Sequence, residues 1–152
     1  MSITKDFTPA RTKGKKRKTQ TPARVLAAHA VDAALDKKAR DSTVIDMREV
    51  SGVADYFVIC SAEADLQVKA IVEAIEDRIE ATCDERPWHT EGVEHRQWVL
   101  LDYVDVVVHI FMAEKRAFYD LERLWGDAPT EHVPETAESS EAVDMLRPAS
   151  TT

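Results

Sequence analysis

The chain has 152 residues and carries 28 acids against 20 Lys/Arg, a formal net charge of -8. That length predicts one domain with tails and a real core, and 44% hydrophobic with 7% aromatic residues is ordinary for a soluble globular protein. No apolar run approaches the ~20 residues that cross a bilayer, and the start "MSITKDFTPARTKGKKRK" lacks the apolar stretch of a secretory signal. Cys60 and Cys83 are the only cysteines and have no CxxC spacing, which predicts a reducing, cytoplasmic setting and argues against structural zinc.

Charge is unevenly spread. Residues 1–24 hold eight Lys/Arg against Asp6 alone, and residues 127–152 hold six acids against Arg147, so the ends carry +7 and -5 and the middle -10. Residues 1–21 read as a basic disordered arm, with Lys13, Lys15, Lys16, Arg17 and Lys18 as candidate contacts to RNA phosphates. The competing reading is a solvated tail with no partner. Residues 22–128 form the expected domain, and 129–152, rich in Glu, Ser, Thr and Pro, read as an acidic disordered tail.

Thr21-Pro22 predicts a helix start, with Thr as N-cap and Pro in the first helical position, followed by Ala27, Ala28, Val31, Ala34 and Leu35 at helical spacing. "STVIDM" (42–47) and "DYFVIC" (55–60) read as strands around a loop at Ser51-Gly52. Val68, Ile71, Val72, Ile75 and Ile79 mark one face of a second helix, with Ser61 read as its cap and Glu63 and Asp65 in its first turn. A short strand is expected around 86–90, then a turn at Glu91-Gly92.

"WVLLDYVDVVVHIF" (98–111) is too long for one ordinary strand and reads as a hairpin bent at Tyr103-Val104. Val106, Val108, Ile110 and Met112 then share one face, and Asp105, Val107, His109 and Phe111 the other, so this strand belongs in the middle of a sheet covered on both sides. A last helix is expected over 114–125 with Phe118, Leu121, Leu124 and Trp125 facing inward, ending before Gly126. The order of elements predicts an α/β (α+β) fold, a mixed β-sheet flanked by helices.

Tests for chemistry narrow the reading. His89, Glu91, Glu94 and His95 could ligate a metal, but they straddle a strand end and a Gly turn, so no metal is expected. Asp102 and Asp105 could hold magnesium in a nucleotidyltransferase-like enzyme, yet their spacing of three crosses a bend and no Gly-rich phosphate loop exists. His109 on an apolar strand reads as a core histidine. No cofactor is expected. What remains is Trp98, Asp102, Tyr103 and Asp105 around the hairpin, read as an exposed partner-binding surface whose aspartates choose a basic protein.

"DYFVICSA", Glu91-Gly92, "WVLLDYVDVVVHIF" and "RAFYDLERLW" together resemble, in order and spacing, the ribosomal silencing factor (Iojap-like) family over about residues 25–128. The resemblance implies a non-enzymatic factor with a nucleotidyltransferase-like fold lacking catalytic residues. Such a factor binds the large ribosomal subunit through its protein uL-fourteen, sterically blocks joining of the small subunit when nutrients are scarce, and commonly forms a homodimer. It places Trp98 and Tyr103, with Asp102 and Asp105 beside them, on the contact surface. It treats Asp55 and His109 as architectural, and Arg116, Tyr119, Glu122 and Trp125 as packing and orienting the last helix. Three positions depart from the family pattern: Val104 and Ala62 stand where glycine is usual, and "ADLQV" replaces a more polar, Arg-containing stretch. Because valine resists positive φ, a wider turn is expected at Val104.

Overall fold

A computed structural model of the chain describes residues 21–50 and 52–136. Helix α1 (Ala23–Asp36) begins one residue later than expected, with Pro22 as the N-cap. Strands β1 (Arg40–Asp46) and β2 (Tyr56–Ala62) follow, then helix α2 (Asp65–Cys83). Strands β3 (His89–Glu91), β4 (Trp98–Asp102) and β5 (Val106–Met112) lead into helices α3 (Ala113–Tyr119) and α4 (Leu121–Leu124) and a last strand, β6 (Thr130–Val133).

The six strands form one mixed sheet in the order β3-β4-β5-β2-β1-β6. All neighbours run antiparallel except β2 and β5, whose parallel register sets Tyr56 opposite Val106 and Ala62 opposite Met112. The central pair is buried nearly throughout, as a strand apolar on both faces requires. One face (Val58, Cys60, Val99, Leu101, Val106, Val108, Ile110) packs against α1 and α2. The other (Ile45, Phe57, Ile59, Trp98, Leu100, Val107, Phe111) lies under Leu121, Trp125 and Ala128. Alternation along β5 is as predicted.

On α1 the buried alanines Ala27, Ala30 and Ala34 leave little bulk between helix and sheet. Among them sits Asp32, fully buried and ion-paired with Arg78 of α2. Arg78 also donates from Nε to His29 Nδ1 at 3.3 Å. Removing Arg78 would strand the Asp32 carboxylate in the interior, and a charge left so typically costs ~3–5 kcal/mol.

The structure departs from the sequence expectation at four places. Ser61 is a residue of β2 and not a cap; the N-cap of α2 is Ala64, with no side-chain cap bond. The folded part does not stop at residue 128, because β6 pairs with the outer edge of β1 and buries Val133. A four-residue strand draws its support from a neighbour some ninety residues away, so local composition conceals it. The last helix is not continuous: Asp120 takes left-handed backbone (φ 47) between α3 and α4, a conformation that aspartate tolerates better than most residues.

The hairpin is the fourth departure. Val104 has φ 79, and the Asp105 N–H donates to the Tyr103 carbonyl at 3.0 Å. A hydrogen bond from i+2 to i with positive φ at the centre is a γ-turn, so the bend is tighter than expected and its central residue is strained. Asp102 compensates: its Oδ1 accepts the Val104 N–H at 2.8 Å, and the Tyr103 N–H closes on the Val106 carbonyl at 2.8 Å. Gly92 also has positive φ (78), and a Cβ there would overlap the Trp98 carbonyl oxygen; the expected turn is there and admits only glycine.

Val104→Gly should therefore stabilise the protein by about 1 kcal/mol, because relief of β-branched strain at positive φ exceeds the entropy that glycine adds to the unfolded chain. Urea-unfolding midpoints of the two proteins check this; a lower midpoint for the glycine variant contradicts it.

Candidate functional site

The structure separates the four residues expected to form one exposed surface. Trp98 pairs with Phe111 at the open end of the hairpin, whereas Tyr103 sits at its closed end. They lie on opposite faces of the sheet, in different core clusters. Tyr103 is 1% exposed and Trp98 5%, so neither is a surface anchor. A residue at a bend is expected outside the core, but the tight γ-turn turns Tyr103 inward against the α2 side of the sheet.

Asp102 is fully buried and works within the turn. Its Oδ1 holds the Val104 N–H, its Oδ2 accepts the Trp88 indole N–H at 3.3 Å, and its carbonyl accepts the Trp88 backbone N–H at 2.9 Å. The carbonyl of half-buried Asp105 accepts from the N–H groups of Asp55 and Tyr56 at 2.8 and 3.1 Å, tying the turn to the start of β2. Use of Asp102 as a magnesium ligand would dismantle this turn. The described residues contain no group of three or more His, Cys, Asp or Glu placed to hold a metal. Lys13, Lys15, Lys16, Arg17 and Lys18 lie outside the described residues.

The sheet instead presents an aromatic column at the open end of the hairpin. Trp98 donates from Nε1 to His109 Nδ1 at 3.1 Å across the β4–β5 ladder, and its ring lies 4.6 Å from that of Phe111. The Tyr119 ring sits over Trp98 at 4.8 Å, and Phe118 meets Tyr119 edge-on at 5.1 Å. Phe118 is 76% exposed, and Tyr119 and Leu124 are also exposed. Phe118 thus presents a large exposed aromatic above a buried base of Trp98 and Phe111.

The outward placement of Phe118 reverses the sequence expectation. An unbroken helix over 114–125 would set Phe118 and Leu121 on one face; the left-handed Asp120 between them sends Leu121 into the core and leaves Phe118 outside. The one local signal is Asp120 itself, a poor helix former in a helical pattern.

Arg116 fixes this region to the sheet. Nη1 donates to the Asp41 carbonyl (2.6 Å) and Ser61 Oγ (2.9 Å), and Nη2 to Thr43 Oγ1 (3.2 Å) and Glu122 Oε2 (2.7 Å). Nε completes the set on Glu122 Oε2 at 3.2 Å, so each N–H of the guanidinium has an acceptor. Asp41 offers its carbonyl from left-handed backbone (φ 51) within an irregularity of the β1–β2 register.

Residues 19–151 match the family model described as ribosomal silencing factor during starvation. The chain belongs to the ribosomal silencing factor family. It is similar to the ribosomal silencing factor RsfS of Bacillus subtilis, 46% identical over 107 residues that span 68% of this chain and 85% of that one. It also resembles the chloroplastic protein Iojap of Zea mays, 35% identical over 67% of this chain and 44% of the plant protein. Solved structures from Bacillus halodurans (37% identical, TM-score 0.62, 71% of this chain and 97% of that one) and Chromobacterium violaceum (27% identical, TM-score 0.67, 70% and 88%) share the architecture of this silencing factor.

Burial pushes the pKa of His109 down to about 3, and as the acceptor of the Trp98 bond its Nδ1 carries no proton. Below the ordinary pKa of 6.5 the unfolded chain binds a proton that the folded chain refuses. Stability contributed at neutral pH should therefore be lost as pH falls from about 6.5 toward 3, by on the order of 1 kcal/mol per unit. Urea midpoints measured from pH 7 to 4 should fall more steeply for wild type than for His109→Gln; parallel curves would contradict this origin.

Proposed function

We propose that this silencing factor docks on the large ribosomal subunit through its protein uL-fourteen and occupies space the small subunit needs, repressing translation without catalysis. Family membership supports the ribosomal target, and the aromatic platform carries the choice of surface: Phe118, at 76%, is the most exposed large hydrophobic among the described residues, and it continues a stack of aromatic rings through Tyr119 and Trp98. An exclusion mechanism needs a rigid contact more than it needs reactive groups, and an aromatic with few rotatable bonds gives large contact area at small entropic cost. Ribosomal proteins are generally basic, and a body of net charge -10 would speed encounter with one. The basic arm, through Lys13, Lys15, Lys16, Arg17 and Lys18, adds affinity for ribosomal RNA phosphates without choosing the subunit. Self-association as a homodimer and a cytoplasmic setting belong to the same reading.

The test is sedimentation of the full chain with purified ribosomal subunits, read beside subunit joining and circular dichroism. Phe118→Ala should weaken large-subunit binding by about tenfold or more and leave the fold intact, since little of that side chain is buried. Tyr103→Ala should instead cost about 3–5 kcal/mol of stability, with binding by the folded fraction unchanged. If Phe118→Ala, combined with Tyr119→Ala, blocks joining at wild-type concentration, the proposed surface is wrong.

Deletion of residues 1–20 should flatten the salt dependence of large-subunit binding, by roughly 0.7–0.9 in log–log slope for every phosphate the arm neutralises. Preference for the large over the small subunit should persist. An unchanged slope would assign the arm no role in binding RNA.

A further inference from the structure

We propose that Arg116 is the positioning residue of this docking surface, tying α3 to the sheet and to α4 so that Phe118 and Tyr119 are held in one pose. The inference rests on the platform reading above.

Three features of α3 make such a tie necessary. The helix has seven residues and none of them is fully buried, so beyond the Tyr119 ring on Trp98 packing gives it little anchorage. Its N-cap, Met112, supplies no side-chain cap bond. At its far end Asp120 breaks the helix in left-handed backbone, leaving Phe118 and Tyr119 on the last turn before a corner. A helix of two turns with no buried face does not hold itself in place.

Arg116 supplies what is missing, and its side chain is only 11% exposed. Nη1 reaches β1 and β2 together, through the Asp41 carbonyl and Ser61 Oγ. Nη2 adds Thr43 of β1 and crosses the break to Glu122, which Nε also holds. The angle between α3 and α4 is thereby set by one planar group with four acceptor residues. Lysine has a single ammonium with no fork and cannot reproduce that arrangement. Glu122 is more exposed than Arg116 and serves as the far end of the tie.

The experiment compares full-length wild type, Arg116→Lys, Glu122→Ala and Phe118→Ala, with the first two substitutions also made in the Phe118→Ala background. Affinity for purified large ribosomal subunits is read beside thermal unfolding. Arg116→Lys should lower affinity by about fivefold to tenfold in the native background, because a surface that must be ordered on binding loses affinity. In the Phe118→Ala background the same change should cost less than about twofold, since the group being positioned is gone. The effect on unfolding should be equal in both backgrounds, which separates positioning from general stabilisation. Glu122→Ala removes only the tie across the break and should follow the same pattern more weakly, giving the answer if Arg116→Lys does not fold.

Equal affinity losses in both backgrounds, or none in the native one, would overturn the role of Arg116 while Phe118→Ala alone still weakened binding. No effect of Phe118→Ala would instead overturn the platform, and this inference with it.

Discussion

The parallel pairing of β2 with β5 is the constraint around which the molecule is built. Both strands are apolar on both faces, so neither can stand at an edge or leave one side in water. Each face must be roofed, and the two roofs differ in kind. On one side lie two long helices, α1 with its buried alanines and α2 with its buried valines and isoleucines, joined by the ion pair of buried Asp32 with Arg78. On the other, the cover is Leu121, Trp125 and Ala128 from a short α4 and the turn after it.

That asymmetry explains where polar groups are needed. The thick layer combines broad apolar burial with its one ion pair to Asp32, whereas the thin one, with less apolar cover, is fixed mainly by directed bonds. Arg116 ties it to β1 and β2, and Trp98 joins it to the sheet through its Tyr119 contact above and its bond to His109 below. A neutral histidine within an aromatic cluster is the acceptor that lets a tryptophan be buried with its N–H satisfied.

Much of this is legible in the chain. Alternation along 106–112 predicts which residues share each face, and the spacing from Val68 to Ile79 marks the buried side of α2. Local pattern fails where a partner distant in sequence, or one residue's backbone, decides the outcome. Thr130–Val133 becomes a strand only because β1 offers an edge. Tyr103 turns inward because Val104 accepts a positive φ that its side chain disfavours, with Asp102 holding the turn. Phe118 turns outward because of Asp120. Trp98 stands out in the sequence as a surface residue, yet it forms the floor beneath the aromatic column.

The central pairing also fixes when the molecule can come into being. Tyr56 meets Val106, fifty residues further along the chain, with α2, β3 and β4 between them. Contacts that distant cannot form until the later segment has been made, and closing so large a loop before any reward slows folding. β1 waits longer still for β6, near residue 130. During synthesis the two central strands must therefore remain unpaired with each other until β5 has left the exit tunnel, with the apolar surface of β2 exposed meanwhile. A partial chain of this silencing factor has no finished sheet on which to carry its aromatic column.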